Sequence, residues 1–339
     1  MKSFGAIYRA MNKTAFDDSY WPPEWTGQAC ILIAWPARAA SWKGRFDEAR
    51  AAHARLAQIL VRFQPVTVIA DPAQRHEAEV ACGPGIDILQ LSVADGWIRD
   101  TGPVFVHTCG AYTGIDWGFY AERKPLAEFG ADAALATRIL AAFKIGRSDP
   151  GFVCEGGAVH TDGSGTILTT ESCVLDSIRN PGVTKATAET VFRRYLGASR
   201  VVWLEDGLAG DETGGHVDEL ICPLAEGVLA FQNVSEDDAA NAAVVRSNRA
   251  RLVAAGFDLV DLPPAPIRHI GNWRVTLSYA NVVWANGALI VPQFGTPEDA
   301  RALAVYSKAL PDRLIVPFEA NDITAGGGGL HCVTLGVPV

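Results

Sequence analysis

Four segments of this chain repeat one short pattern, and the repeat limits the possible folds more than any other feature. Each segment opens with a polar or glycine-rich cluster, runs on as a short apolar strand, turns, and returns as a second apolar strand. The first is Arg99-Asp100-Thr101-Gly102-Pro103, then Val104-Phe105-Val106, a turn at Cys109-Gly110, and Tyr112 to Trp117. The second is Glu155-Gly156-Gly157, then Ala158-Val159-His160, a turn at Asp162-Gly163-Ser164-Gly165, and Thr166 to Thr170. The third is Gly214-Gly215-His216-Val217-Asp218, then Leu220-Ile221-Cys222, a turn at Glu226-Gly227, and Val228 to Phe231. The fourth is Tyr279-Ala280-Asn281, then Val282-Val283-Trp284, a turn at Asn286-Gly287, and Ala288 to Val291. Asp-Gly and Asn-Gly between apolar runs signal tight hairpins, because glycine accepts the positive φ such turns need.

A fifth copy is split across the chain. Gly326 to Gly329 followed by Leu330-His331-Cys332-Val333-Thr334 supplies one strand, and Ala29 to Trp35 is placed to pair with it and close a ring. Helical periodicity fills the intervals at Phe46 to Phe63, Asp132 to Phe143, Thr184 to Leu196 and Asp237 to Ala255, with a strand at Val66 to Ala70. Thr184 has the character of an N-cap. The residues leading the copies, Asp100, Glu155, His216, Asn281 and Cys332, are separated by 55, 61, 65 and 51 positions. A period in this range predicts a ring of similar α/β units whose leading residues meet near one axis; an open sheet of five βα-type units is the alternative. No low-complexity linker divides residues 1–339, so the expectation is a single domain.

Composition narrows the class. Nearly half of the residues are hydrophobic, a fifth are charged and the formal net charge is -9. That balance disfavours nucleic acid or an anionic membrane as the main partner, and it would draw a small cation or serve solubility alone. Met1 to Tyr20 lacks the make-up of a signal peptide, and the apolar run Cys30–Trp35 is too short to span a bilayer. The cysteines at 30, 82, 109, 154, 173, 222 and 332 form no CxxC pair. An odd count without metal-type spacing predicts reduced thiols, a cytoplasmic location and no bound metal. Gly326–Gly329 lacks the Lys-Ser/Thr that completes a nucleotide-binding loop, so no cofactor is expected. Whether the chain forms a homo-oligomer is left open.

The leading clusters also resemble the ordered motifs of one family. Trp97-Ile98-Arg99-Asp100-Thr101-Gly102-Pro103 is similar to its W-x-R-D-x-G-P signature, and Glu155-Gly156-Gly157 with His160, Asp162-Gly163 and Thr169-Thr170-Glu171-Ser172-Cys173 to its second block. Gly210-Asp211-Glu212-Thr213 leading into Gly215-His216-Val217-Asp218 resembles the third, and Ser278-Tyr279-Ala280-Asn281 with Asn286-Gly287 the fourth. Gly326-Gly327-Gly328-Gly329-Leu330-His331-Cys332-Val333-Thr334 resembles the last. These are the motifs of the agmatine deiminase and bacterial peptidylarginine deiminase family, within the guanidino-group modifying enzymes, and they run in order from Trp21 to about Pro338. The resemblance implies a fivefold pseudosymmetric α/β propeller (the pentein fold). Two departures concern substrate choice. Agmatine-specific members usually carry an acid where this chain has Gly214, and usually have Asn and a Trp-Gly-Gly run where this chain reads Tyr120-Ala121-Glu122-Arg123-Lys124 after Trp117-Gly118-Phe119.

The resemblance implies a hydrolase that converts a guanidine to a ureido group and ammonia through a thiouronium on Cys332. A guanidinium carbon is a poor electrophile, so the planar cation must be gripped, attacked and relieved of a protonated nitrogen. Asp100 and Asp218 match the gripping carboxylates, which accept paired N–H bonds. Glu155 matches a third acid that binds the cation or orients the histidine. His216 matches the general acid and base. If His216 and Asp218 lie on a strand, a spacing of two puts both on one face; by the same alternation His331, the rival base, turns away from Cys332. Trp97 is a candidate for covering the cation's face, Asn281 for bonding substrate or neighbouring acids, and Gly329 for offering backbone N–H groups. Agmatine, giving N-carbamoylputrescine, is the leading substrate. Free arginine, C-terminal peptidyl arginine and guanidino acids remain alternatives, as do an amidinotransferase and a silent guanidine-binding protein.

Overall fold

The structure is a computed structural model that describes residues 19–120 and 126–339. Glu122, Arg123 and Lys124, which the sequence places near a substrate tail, lie outside the described residues, as does nearly all of the Met1 to Tyr20 segment.

The chain is a mixed α/β fold. Its strands are β1 (Gln28–Ala34), β2 (Val66–Ala70), β3 (Asp87–Gln90), β4 (Val104–Thr108), β5 (Ala111–Ile115), β6 (Gly146–Ser148), β7 (Val159–Thr161), β8 (Thr166–Thr170) and β9 (Arg200–Leu204) in the first part. There follow β10 (Ile221–Ala225), β11 (Val228–Gln232), β12 (Asp258–Leu262), the small pair β13 (Arg268–Ile270) and β14 (Trp273–Val275), β15 (Val283–Ala285), β16 (Ala288–Gln293), β17 (Leu314–Glu319) and β18 (Thr334–Pro338). Five sheets share one plan: an antiparallel pair, then a helix, then a strand parallel to the second member of the pair. The pairs are β4–β5, β7–β8, β10–β11, β15–β16 and, across the termini, β18–β1. The parallel additions are β6, β9, β12, β17 and β2, with β3 extending the last sheet beside β2.

The helices that make the crossovers start and stop as their residues dictate. In Lys185–Leu196 the Thr184 hydroxyl accepts from the Thr187 N–H at 3.3 Å, and Gly197 ends the helix at φ +68°. Phe46–Leu60 and Ala239–Ala254 match their predicted spans to within three residues. The predicted helix from Asp132 to Phe143 is instead two helices, Leu126–Ala133 and Leu135–Phe143, broken at Ala134. The Cys109-Gly110 turn has positive φ at both positions, +51° and +82°, the geometry whose twist suits a two-residue hairpin.

β1 shows why an unbroken apolar run is needed at the closure. Ile31, Ile33 and Trp35 pack on one face with Leu56 and Leu60 of the Phe46–Leu60 helix. Cys30, Leu32 and Ala34 pack on the other with Ile98, Ile139 and Leu140. Both faces are covered, so the strand reads as continuous hydrophobe instead of alternating.

One predicted strand is corrected. Leu330 to Val333 form turns, and β18 starts only at Thr334. Their backbone groups are taken by other partners: the His331 N–H donates to Asn281 Oδ1 at 2.8 Å, the Arg99 N–H donates to the Cys332 carbonyl at 3.1 Å, and the Leu330 carbonyl accepts from the Thr334 hydroxyl at 3.0 Å.

Candidate active site

A short turn precedes the first strand of each sheet, and these turns carry the polar leaders. Asp100 lies on the helical turn Ile98–Thr101, Glu155 precedes the 3-10 turn Gly156–Ala158, His216 precedes the 3-10 turn Val217–Glu219, and Cys332 sits in the turn before β18. His216 and Asp218 are therefore not strand neighbours, and the alternation expected of them does not operate. They converge for a different reason. A side chain at Gly157 would lie 2.6 Å from His216 Nδ1, 2.9 Å from Asp218 Oδ2 and 3.0 Å from Asp100 Oδ1. Glycine at that position leaves room for three functional groups to meet. Its N–H also donates to Asp100 Oδ1 at 3.0 Å.

These groups open on a cavity of about 260 Å³, lined on this side by Trp97, Asp100, Glu155, Arg179, His216, Asp218, Glu219 and Cys332. His216 Nδ1 is 3.6 Å from Asp100 Oδ1, and Nε2 is 3.7 Å from Glu155 Oε2. Neither ring nitrogen has a hydrogen-bond partner among the described residues, nor has Asp218 Oδ1. Burial alone would lower the His216 imidazole. Asp100, the Cys173 sulfur and Glu155 outweigh it and hold the ring protonated well above its ordinary range. Burial pushes Asp100 up to about 6; His216 opposes the shift, while Asp218 and Glu155 add to it. For Glu155, burial is overcome by Arg179 and His216, which keep the carboxyl below the usual carboxylate range.

Cys332 is 5% exposed. Its Sγ lies 3.6 Å from Asp218 Oδ2 and 3.8 Å from Glu219 Oε1, and accepts from the Gly329 N–H and the Asn281 amide, both at 3.4 Å. Burial first, and then Asp218, Glu219 and Asp100, raise the thiol well above its ordinary value. A cation bound in the cavity would reverse those carboxylate contributions and favour thiolate.

Not every predicted residue faces the cavity. Asn281 and Gly329 lie one layer behind it. Asn281 donates to Glu219 Oε1 at 3.1 Å as well as to Cys332, as expected of a residue bonding neighbouring acids. Gly329 does offer its N–H, but to sulfur. Trp97 lines the cavity and stacks on Trp42, with ring centroids 4.9 Å apart. The Gly326–Gly329 run permits this crowding: a side chain at Gly328 would meet Trp97 at 2.9 Å and Cys332 Sγ at 3.1 Å.

His331 corrects a second expectation. It sits in a turn, so alternation does not place it; it does not line the cavity but reaches Asp218 from behind. Its Nδ1 lies 2.8 Å from Asp218 Oδ2, the oxygen that Cys332 also approaches. Gly214 corrects a third. It has φ +84°, does not line the cavity, and a side chain there would point to Arg179 at 3.5 Å. Glycine is a backbone requirement at that position, and the nearby acids that do line the cavity are Asp211 and Glu212. Glu212 pairs with Lys43 at 3.3 Å, and the Lys43 ammonium lies 3.3 Å from the centroid of the Trp273 ring.

Sequence reasoning missed Glu219 and Arg179. Glu219 is buried beside Asp218; burial and that neighbour's charge raise it well above its ordinary value, while Asp218 is lowered. Arg179 meets Glu155 at 3.3 Å, with both side chains at most 3% exposed. It also donates to the carbonyls of Cys173 and Thr213 at 3.1 and 2.7 Å. Removing either partner would strand a buried charge, at a cost of about 3–5 kcal/mol. The sequence signal for Glu219 was its place directly after Asp218. Arg179 gave none. Two clusters, Glu155–Cys173–His216 and Asp218–Glu219–Cys332, have donor atoms spaced closely enough to meet a metal ion. In both, the donors already belong to the site described here.

Buried acids, an imidazole and a thiol around one small cavity define a site for attacking a bound cation. The chain belongs to the Porphyromonas-type peptidyl-arginine deiminase family, which matches residues 20–338. It is 35% identical to an agmatine deiminase of Pseudomonas putida over 96% of this chain and 97% of that one. Among solved structures it is similar to an agmatine deiminase of Enterococcus faecalis catalysing its reaction, with TM-score 0.88 and 29% identity over 95% of this chain and 96% of that one. It is also similar to an agmatine deiminase of C. jejuni with substrate bound, with TM-score 0.87 and 25% identity over 94% and 96% of the two chains.

Proposed function

We propose that this protein hydrolyses agmatine to N-carbamoylputrescine and ammonia through a covalent intermediate on Cys332. The observation that carries the reading is the convergence of His216 Nδ1, Asp218 Oδ2 and Asp100 Oδ1 within 3.0 Å of one point, with Cys332 Sγ 3.6 Å from the same Asp218 oxygen.

Asp218 and Asp100 bind the guanidinium N–H groups, and Glu155, held by Arg179, balances the His216 imidazolium. Binding the cation offsets the carboxylates around Cys332, and the thiol gives its proton to solvent to form the thiolate. The sulfur attacks the guanidinium carbon and forms a C–S bond. His216 gives its proton to the departing nitrogen as the C–N bond breaks, and ammonia leaves. Neutral His216 then takes a proton from water, whose oxygen adds to the thiouronium carbon. Collapse breaks the C–S bond, the added oxygen passes its remaining proton to the Cys332 sulfur, and the ureido product and the thiol are left. Glu212 is the acid suited to the far amine, which makes a small dication the best fit. We infer further that residues 1–339 form one domain, a fivefold pseudosymmetric propeller closed by β18 on β1. The five like sheets support this. Reduced cysteines fit a cytoplasmic setting; no helix among the described residues is long and apolar enough to cross a membrane.

The test is ammonia release from agmatine, arginine and 4-guanidinobutyrate at fixed pH, with mass spectrometry of a quenched reaction. An amidino adduct on Cys332 and an agmatine preference above about tenfold in kcat/KM, about 1.4 kcal/mol, are expected. No ammonia from any of the three would end the hydrolase reading. Preference for an acidic or neutral tail would end the agmatine assignment alone.

A further inference from the structure

Behind the cavity a second chain of charged groups runs from Asp218 toward the N-terminal segment. His331 Nδ1 lies 2.8 Å from Asp218 Oδ2, and His331 Nε2 lies 3.0 and 3.1 Å from the two Glu24 oxygens. Arg99 donates to Glu24 at 2.6 Å and, through Nε, to the His331 carbonyl at 3.4 Å. His331 is 3% exposed and Arg99 8%. Glu24 keeps 20% of its side chain in solvent and borders a separate crevice with Trp21, Pro22, Pro23 and Arg99. No step of the reaction above uses Glu24, His331 or Arg99.

We propose that Glu24 and His331 are positioning residues that hold Asp218 ionised and leave only its Oδ1 free for the substrate cation. The imidazole carries a proton on each nitrogen, one for each carboxylate. Asp218 is therefore tied at Oδ2, and its unpartnered Oδ1 is the atom left for a guanidinium N–H. Without this tie, a fully buried carboxyl beside Glu219 would take up a proton or turn, and its grip on the cation would weaken. The charged and titratable groups facing His331 are Asp218, Glu24, Arg99 and His160, whose ring is 5.0 Å away. Burial, and then Arg99, oppose the imidazolium, and the two carboxylates favour it. His331 is raised from its ordinary value on balance, while burial, with His331 beside it, lowers His160 to about 4 and so keeps it neutral.

The inference rests on the deiminase reading for its consequence but not for its first test. Isotope-edited NMR of the His331 imidazole needs no substrate. The full-length protein should hold this ring protonated above the ordinary imidazole range, and Glu24→Gln, which keeps an acceptor while removing the charge, should lower the midpoint by about one pH unit or more. A midpoint that does not move, or a ring that is neutral throughout in the wild type, overturns the proposal. The second measurement is steady-state kinetics of His331→Ala with agmatine, after circular dichroism has shown it folded. KM should rise by about tenfold or more, increasingly toward low pH, with a smaller change in kcat. A folded variant with wild-type KM and pH profile overturns the positioning role. A wild type inert toward agmatine, beside the expected NMR shift, would instead reject the hydrolase reading and keep the relay.

Discussion

At the closed end of the cavity His216, Asp218, Glu219 and Cys332 are each at most 5% exposed, whereas at the mouth the Lys43 and Glu212 side chains leave 24% and 35% of their surface in water. The closed end is cross-linked by buried pairs, among them Arg179–Glu155 and His331–Asp218. Among the described residues the mouth is held by the Lys43–Glu212 ion pair and by Lys43 over Trp273. Charges that are buried act at low dielectric and set protonation states; charges in water are screened. One end is thus fixed for chemistry, and the other is cheap to alter and suited to choosing among substrate tails. Substitutions should divide accordingly, with large effects on turnover inside and small effects on preference outside.

The largest effect is expected at Cys332. Cys332→Ala should lower kcat by roughly 10⁴-fold or more while agmatine still binds, as read by calorimetry. Substantial turnover in that variant would remove the nucleophile and with it the asymmetry between the two ends. His216→Ala should follow, with a loss of roughly 10²–10⁴-fold. Rapid-quench mass spectrometry should show neither formation nor decay of the Cys332 adduct at a useful rate. If adduct forms normally and only its hydrolysis stalls, another group protonates the departing nitrogen.

A third expectation concerns pH. Asp100 must be ionised to grip the cation, and burial places its titration near 6. As pH falls through about 6 it takes up a proton, so kcat/KM should fall on the acidic side with the loss in substrate capture. The sign is that of a raised carboxyl, which is least competent at low pH. An acidic limb far below 6 would assign the capture step to Asp218 alone, which its surroundings hold ionised.

The same division explains what the sequence disclosed. Asp100, Glu155, His216 and Cys332 were visible because each sits at a fixed place in a repeated hairpin, and local patterning marks such places. Geometry was misread for His216 with Asp218 and for His331 with Cys332, the two pairs to which strand alternation was applied. His216 directly precedes a 3-10 turn and His331 and Cys332 lie in an irregular turn, so strand alternation decides the direction of neither pair. Glu24 was missed because its partner lies 307 positions away, and Arg179 because its contact with Glu155 exists only when two separate turns pack together. Gly214 was read as a lost acid because only the folded chain shows that its φ demands glycine.

The smallest effects belong to the mouth, where the comparison can be sharpened. Lys43 Nζ lies 3.3 Å from Glu212 Oε1, so a cation of the protein already holds the acid that a substrate amine would need. Agmatine's far ammonium must share or displace it. Exposed pairs of this kind are worth about 0.2–1 kcal/mol, or up to roughly fivefold in affinity. Glu212→Gln should therefore raise KM for agmatine by about two- to fivefold and leave butylguanidine, which lacks the amine, unchanged. Lys43→Met should act in the opposite direction, lowering KM for agmatine because the competing ammonium is gone. Both shifts should shrink in high salt, since the charges are screened there. If Lys43→Met raises KM instead, Lys43 holds Glu212 in position and does not compete for it. If Glu212→Gln weakens both guanidines equally, the acid acts on the guanidinium end, and the boundary between the two ends of the cavity lies further out than Lys43.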